Sequence, residues 1–243
     1  GLGGPFSRRR TAVNIQAESG QMLAVNLRTA LVELGPTFVK LGQVLSTRPD
    51  ILPPVFIEEL EKHQDKVEPI SYALIREQIK KELGDPEEIF AEFNPEPLAA
   101  ASIGQVHRAR LDSGAEVVVK VQRPDIENVI AVDLEILAHL AGLMEQYLEE
   151  VQGHRPTAIV QEFARSLSRE IDFAVELANV QRFARQFKNN TAIHVPLVYP
   201  ELSTQRVLVM EYVLGIKASM AGQLREQGYD LPLIAERGAT LVM

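Results

Sequence analysis

A lysine at the end of an apolar strand is the first residue with a candidate chemical role. Residues 116–122 read Glu-Val-Val-Val-Lys-Val-Gln, and this β-branched run predicts a strand that carries Lys120. An ammonium group beside a buried strand must meet an anion or remain in water, because an unpaired buried charge is costly. Taken alone, Lys120 is more simply read as a surface lysine at a strand end.

Acidic residues on a later predicted helix, residues 157–187, are possible partners for this ammonium. Asp172 and Glu176 are four apart and would share one helical face, and Glu170 precedes Glu176 by six positions. The alternative is an ordinary solvated acidic face. A strand lysine paired with a helix glutamate is also how kinases present an ammonium to the α- and β-phosphates of a nucleotide.

A run of small residues precedes the strand that pairs with 116–122. The sequence predicts a loop over residues 97–106 and then a β-hairpin formed by residues 103–111 and 116–122, with its turn at Asp112-Ser113-Gly114. The loop lacks the G-x-G-x-x-G pattern, but small side chains let backbone N–H groups approach phosphates. The alternative reading of the alanine run is tight packing.

Two further segments have candidate roles. Lys40 and Gln43 are three apart on one face of a helix predicted over 19–46, which Gly35-Pro36 interrupts. The apolar residues 207–213 predict a strand whose backbone could bond an adenine edge. The alternatives are an amphipathic helix and a plain buried strand.

The remaining patterns predict mostly helices, and together with the short strands they indicate an α+β fold. The additional helices are predicted over 55–67, 71–83, a short turn from Asp85-Pro86, and 125–150, with short strands over 195–199 and 206–211 and a helical start after them.

Composition narrows the function classes. The chain has 243 residues and a net charge of −8, and an acidic chain is a poor candidate for binding nucleic acid. There are no cysteines, and the five histidines are too scattered for metal ligation, so we predict no metal site. No apolar run approaches the roughly 20 residues of a membrane-spanning helix. The basic residues Arg8, Arg9 and Arg10 predict a solvated tail, with an acidic membrane surface as the alternative.

Three motifs in this order resemble the UbiB family, also called the aarF-domain-containing or ADCK kinases, which are atypical protein-kinase-like proteins. They are Phe-Val-Lys-Leu-Gly-Gln at 38–43 with Ser-Thr-Arg-Pro-Asp at 46–50, Ala-Ala-Ala-Ser-Ile-Gly-Gln-Val at 99–106, and Glu-Ile-Asp-Phe-Ala-Val-Glu-Leu-Ala-Asn at 170–179. Lys120 lies between the second and third motifs, and the strand through Met210 and Glu211 follows the third, as in the family.

The resemblance implies roles at matching positions. Lys120 would be the nucleotide-phosphate lysine, and Glu176 its ion-pair partner on an αC-type helix. Lys40 and Gln43 would form the KxGQ motif, with Lys40 near Glu170 of the ExD motif that ends at Asp172. The residues implied to line the nucleotide site are Ala99, Ala100, Ala101, Ser102, Ile103, Val106, Met210, Glu211 and Val213.

The resemblance also implies an organisation. Residues 1–18 would be a flexible basic tail, 19–95 a helical N-terminal extension, 96–214 a protein-kinase-like N-lobe with a small antiparallel sheet, and 215–243 the start of a C-lobe that is largely missing. The chain begins with Gly1 and stops at Met243 without a closing signal, which is typical of a cut. A catalytic base and the Mg²⁺ ligands are expected only from the C-lobe.

The implied function is an ATP-binding (or ADP-binding) atypical kinase or ATPase that supports ubiquinone or related prenylquinone biosynthesis. Its partners would be a nucleotide, a lipid or quinone precursor and a membrane surface, in a bacterial or organellar protein that is cytoplasmic or peripheral to a membrane. One alternative is a non-catalytic pseudokinase scaffold that senses nucleotide and binds lipid or protein partners. The other is an all-helical interaction module with an incidental hairpin.

Overall fold

The computed structural model of this chain describes residues 5–62, 68–148, 153 and 155–242. Helices precede three strands, three more helices follow, and a fourth strand completes the sheet. The elements in chain order are α1 (Pro5–Leu34), α2 (Pro36–Ser46), α3 (Pro54–Glu61), α4 (Tyr72–Glu82), α5 (Pro86–Ile89), β1 (Glu92–Ala100), β2 (Gly104–Arg110), β3 (Glu116–Gln122), α6 (Ile126–Tyr147), α7 (Pro156–Ile171), α8 (Phe173–Gln186), β4 (Val207–Glu211), α9 (Ala221–Glu226) and α10 (Leu231–Val242). The predicted α+β class is confirmed.

The sheet is antiparallel, has the order β1-β2-β3-β4, and is covered by helices on both faces. On one face, Val119 and Val209 join a core with Ile75 and Ile79 of α4. On the other face, Leu208 joins a core formed mainly by α6, α7 and α8. β4 is buried on both faces at Val207–Val209, and β3 alternates between buried and half-buried residues, so both strands carry nearly continuous apolar runs.

The edge strand β1 was not predicted. Residues 97–106 were expected to form a loop, but β1 continues to Ala100, and only residues 101–103 turn into β2. Pro95 and Pro97 explain the error, since proline cannot donate to a ladder and is confined to edges and bulges. β1 is at the sheet edge, and its pairing with β2 shifts register on both sides of Pro97.

The helix predicted over residues 157–187 is two helices, α7 and α8, separated at Asp172. Asp172 has an extended backbone, with φ −88° and ψ 99°, and its carboxylate accepts a 2.9 Å hydrogen bond from the Ala174 N–H. It is therefore the N-cap of α8. The prediction that Asp172 and Glu176 share one helical face is wrong, because Asp172 lies outside the helix that carries Glu176.

The first three helices, α1 to α3, pack on one another around Leu31, Phe38 and Leu60. The predicted interruption at Gly35-Pro36 is confirmed: Gly35 has φ +108°, a conformation that favours glycine. α1 begins at Pro5, so helix covers most of the range assigned to a tail. The mobility of residues 1–18 stays a prediction.

Other boundaries differ by a few residues. α3 ends at Glu61 and α6 at Tyr147, and the predicted extensions into 63–67 and 149–150 lie outside the described residues. The strand expected over 195–199 is a single bridge between Val198 and Met210. The predicted domain boundaries stay predictions, although β1 starts inside the range assigned to the extension.

Candidate functional site

The ammonium of Lys120 lies between a carboxylate and an aromatic ring. Its Nζ is 2.7 Å from Oε2 of Glu176 and 4.5 Å from the ring centroid of Phe173. Phe173 is fully buried, whereas the side chains of Lys120 and Glu176 are 26% and 37% exposed. The predicted contact between Lys120 and Glu176 is present. Because an ammonium has three N–H donors, this half-buried group can bind a second anion.

Two hydrogen bonds position α8 for this contact. The carbonyl of Ile171 accepts from Nε2 of Gln122 at 2.8 Å, and the Phe173 N–H donates to the carbonyl of Gln205 at 3.0 Å. Both groups sit at the interruption between α7 and α8, where helical partners are lost. The new partners come from β3 and from the loop before β4. The first turn of α8 thereby brings Phe173 and Glu176 to the end of β3.

The alanine-rich motif is part strand and part turn. Ala99 pairs with Val106, which pairs with Lys120, so these three residues align across β1, β2 and β3 on one face of the sheet. Ala100 pairs with Gln105 and points to the opposite face. Ala101, Ser102 and Ile103 form the turn.

The turn is tight and contains an unpaired hydroxyl. The Ala101 N–H donates to the Gly104 carbonyl at 2.8 Å. Ile103 is buried in the core with Phe173, so it supports the turn from below. Ser102 is 1% exposed, and its Oγ has no hydrogen-bond partner among the described residues. A buried hydroxyl without a partner costs about 1–3 kcal/mol, which an incoming acceptor could recover.

The helical extension touches this region through α2. Lys40 Nζ lies 2.5 Å from Oε1 of Glu170, with the two side chains 19% and 42% exposed. Leu41 and Val44 pack against the core beneath the turn. Gln43 is half-buried on the same helix, and its carbonyl accepts from the Ser46 hydroxyl at 2.7 Å. The predicted contact between Lys40 and Glu170 is present; its role stays a prediction.

The end of β4 is only partly open to a ligand. The Glu211 N–H donates to the Leu197 carbonyl at 2.7 Å, and the Glu211 carboxylate contacts Nε2 of His194 at 2.9 Å. The Glu211 N–H is therefore already bonded, and the expected role of the Glu211 backbone at adenine stays a prediction. Val213 is 49% exposed, and among the described residues its N–H has no backbone acceptor. Met210 is half-buried beside the core of α6–α8.

Sequence reasoning missed two contributors, Phe173 and Arg123. Phe173 stands within the ExD-containing motif, between Asp172 and Glu176, but only the packing of α8 shows that its ring faces Lys120. Arg123 follows Lys120 by three positions and bonds the turn, with Nε donating to the Ala101 carbonyl at 3.0 Å. An arginine just after a buried strand and before a proline was the available signal.

Neither a candidate metal cluster nor a membrane-spanning helix occurs in the part of the chain that the structure describes. Across residues 5–62, 68–148, 153 and 155–242, no cluster of three or more His, Asp or Glu residues could hold a metal ion. In the same part of the chain, no helix combines the length and apolar character needed to cross a bilayer.

Comparison with known sequences places the chain among atypical kinase-like proteins. Residues 62–243 match the ABC1 atypical kinase-like domain. The chain is 44% identical over 220 residues to a "Probable protein kinase UbiB" of Tolumonas auensis, covering 90% of this chain and 40% of the relative. It is 41% identical over 219 residues to the protein of the same name from Sodalis glossinidius, again covering 90% and 40%. The chain thus spans about 40% of the length of these relatives.

A solved structure also resembles this chain. A Mycobacterium tuberculosis protein, Rv3197, determined as a complex with erythromycin, superposes with a TM-score of 0.55 at 29% identity, covering 88% of this chain and 52% of that one. The predicted resemblance to UbiB proteins is therefore confirmed, and the chain belongs to the family of ABC1 atypical kinase-like domains.

Proposed function

We propose that this chain forms the nucleotide-binding part of an atypical kinase or ATPase, and that the intact protein supports ubiquinone or related prenylquinone biosynthesis. The observation that carries the proposal is the placement of Lys120. Its ammonium lies 2.7 Å from the Glu176 carboxylate, on the face of the sheet that adjoins the alanine-rich turn. The UbiB relatives, each named a probable protein kinase, support the same reading.

The residues present fit a nucleotide. Lys120 would neutralise phosphate charge, and the unpaired Ser102 hydroxyl would meet a phosphate oxygen at the turn. Ala99 and Ala100 would form the end of the strand that leads into the turn. The backbone at Val213 would contact the adenine edge. Bound ATP would supply the phosphoryl group, with Mg²⁺ and its ligands expected from the C-lobe.

The contact between Lys40 and Glu170 bears on the substrate class. It brings α2 of the extension against α7, near the face where the nucleotide would bind. A helix at this place would occupy space that a protein substrate needs. The proposal therefore favours a small or lipid acceptor, such as a quinone precursor, or ATP hydrolysis without a peptide acceptor, in a protein that works at a membrane surface.

Calorimetric titration of ATP and ADP into the intact protein tests the proposal. Lys120→Ala should weaken nucleotide binding by about tenfold or more, because a charge-assisted contact is lost. Lys188→Ala, which removes an exposed lysine beyond the end of α8, should leave the affinity unchanged. Equal affinities for the parent and Lys120→Ala would count against the nucleotide site.

ATP turnover separates the enzyme from the pseudokinase scaffold. With Mg²⁺ and a lipid or quinone-precursor acceptor present, the proposed enzyme converts ATP to ADP by passing the phosphoryl group to the acceptor or to water, and Lys120→Ala slows that conversion. A protein that binds ATP with the Lys120 dependence above but forms no ADP under these conditions is the scaffold.

A further inference from the structure

The segment of residues 68–70, just before α4, is bonded to the alanine-rich turn through one arginine. Arg123 donates from Nε to the Ala101 carbonyl at 3.0 Å and from Nη2 to the Glu68 carbonyl at 2.8 Å. Its backbone N–H donates to the Ile103 carbonyl at 2.9 Å. One residue at the end of β3 thus joins both ends of the turn to the extension.

A glutamine makes a second connection between the same two parts. Gln105 is fully buried on β2. Its Oε1 accepts from the Ile70 N–H at 2.9 Å, and its Nε2 donates to the Ile70 carbonyl at 3.2 Å. The Gln105 amide therefore pairs with the Ile70 backbone as a neighbouring strand would. Gln105 follows Ile103, the last residue of the turn, by two positions.

Pro69 makes the segment rigid. Proline fixes its own φ and restricts the residue before it to extended conformations. The groups used for bonding belong to Glu68 and Ile70, so the missing N–H of Pro69 is not needed. Burial lowers the pKa of the Arg123 guanidinium, in keeping with its position between two carbonyls.

Holding a carbonyl also aims the next N–H group. The peptide unit is planar and trans, so the Ala101 carbonyl and the Ser102 N–H point in opposite directions. When Arg123 fixes that carbonyl, it fixes the direction of the Ser102 N–H. Among the described residues, no backbone carbonyl accepts from this N–H, and the Ser102 hydroxyl is unpaired as well. Both are the kind of donor that a phosphate uses.

We propose that Arg123 is a positioning residue of the nucleotide site, and that the segment of residues 68–70 sets the shape of the turn through Arg123 and Gln105. A change in the extension is thereby transmitted to nucleotide affinity. This inference rests on the proposed function for its ligand, whereas the connection itself is independent of nucleotide.

Hydrogen–deuterium exchange and calorimetry on the intact protein test the inference with two variants. Arg123→Lys keeps the charge but cannot bond both carbonyls in a fork. Pro69→Gly keeps every bonding group but frees the segment. In Arg123→Lys, amides of residues 101–104 should exchange about tenfold faster and ATP should bind about tenfold more weakly, as expected for the loss of one charge-assisted hydrogen bond. In Pro69→Gly, both measurements should change in the same direction, because the freed segment holds Arg123 less firmly. Arg165→Lys, at an exposed arginine that pairs with Glu162 at 2.6 Å, should match the parent in both measurements.

Several outcomes would overturn the inference. Unchanged exchange at 101–104 in both variants removes the connection. Faster exchange across the whole sheet gives Arg123 a purely structural role and also overturns it. Faster exchange at the turn with unchanged ATP affinity overturns the link to nucleotide. A parent protein that binds no nucleotide overturns the proposed function and that link together, and the exchange data still decide whether the segment holds the turn.

Discussion

Gly104 lies against the backbone of Val121. A Cβ built on Gly104 would be 2.8 Å from the Val121 carbonyl oxygen and 3.4 Å from Cζ of Phe173. The first of these distances is well inside van der Waals contact, and the obstacle is main chain, which cannot rotate away. The glycine therefore lets β2 begin directly beside β3, with Phe173 below it and the alanine-rich turn above.

Gly104→Ala should destabilise the protein by about 1–3 kcal/mol, because the added methyl group forces backbone movement in a packed region. Denaturant unfolding of the parent and variant measures the difference. Gly222→Ala in α9 is the matched control: its Cβ would meet nothing within 4 Å, and alanine is the better helix former. A Gly104→Ala protein as stable as the parent would contradict the close approach.

Acid should weaken the fold through His107. This buried ring contacts the Asn94 carbonyl through Nδ1 at 2.9 Å and Nε2 of Gln105 through Nε2 at 3.0 Å. The carbonyl can only accept, so Nδ1 carries the proton and Nε2 accepts from the amide of Gln105. Burial lowers the pKa of His107 below its ordinary 6.5. A second proton would also oppose the donor on Gln105.

The direction of the pH dependence of stability follows from proton binding at His107. Below about pH 6.5 the unfolded chain takes up a proton at position 107 that the folded chain refuses, so stability falls as the pH falls. The contribution of this site to the slope is at most about 1.4 kcal/mol per pH unit. Unfolding free energies between neutral and mildly acidic pH should show a shallower slope in His107→Gln than in the parent. His139→Gln, at an exposed histidine of α6, should keep the parental slope.

The pair of Lys40 and Glu170 should couple weakly. Glu170 is 42% exposed, so water and salt screen the 2.5 Å contact. A double-mutant cycle with Lys40→Ala and Glu170→Gln should give a coupling free energy of no more than about 1 kcal/mol. Unfolding measurements at low and high salt should show the coupling shrinking with salt. A coupling of zero at low salt would mean that α2 is held to α7 by apolar packing alone.

Ala101→Gly should loosen the turn and change the preference between ATP and ADP. The Ala101 N–H donates to the Gly104 carbonyl, and the Ala101 carbonyl accepts from Arg123. Glycine would keep both hydrogen bonds but would allow the backbone a larger range of conformations. Competitive binding of the two nucleotides to the intact protein measures the preference. Identical preferences in parent and variant would remove this role for the alanine.

Local patterns predicted much of the framework. The bounds of β3 match the run Glu116–Gln122, and Gly35-Pro36 ends one helix and begins the next. Both features depend on residues that are neighbours in sequence. β1 was missed because Pro95 and Pro97 disfavour a strand locally, and only the edge position in the folded sheet accommodates them.

The interruption at Asp172 shows the same limit. Residues 157–187 have a continuous helical pattern, yet the helix is interrupted where Gln122 and Gln205 form hydrogen bonds with the main chain on the two sides of Asp172. Those partners are distant in sequence, so helical periodicity does not predict them. The sequence placed Glu176 on the correct helix but put Asp172 on that helix too.

The sequence by itself determined which side chains are available: a strand that ends in Lys120, a turn of small residues and a helix that carries Glu176. The resemblance already predicted that Lys120 meets Glu176. Tertiary structure alone decided that the ammonium also faces the ring of Phe173, and that Arg123 ties the turn to the extension. The physical reason is range. Helix and strand formation follow from bonds between near neighbours, whereas a charge in a half-buried site is stabilised by groups that only the packing of distant segments brings within reach.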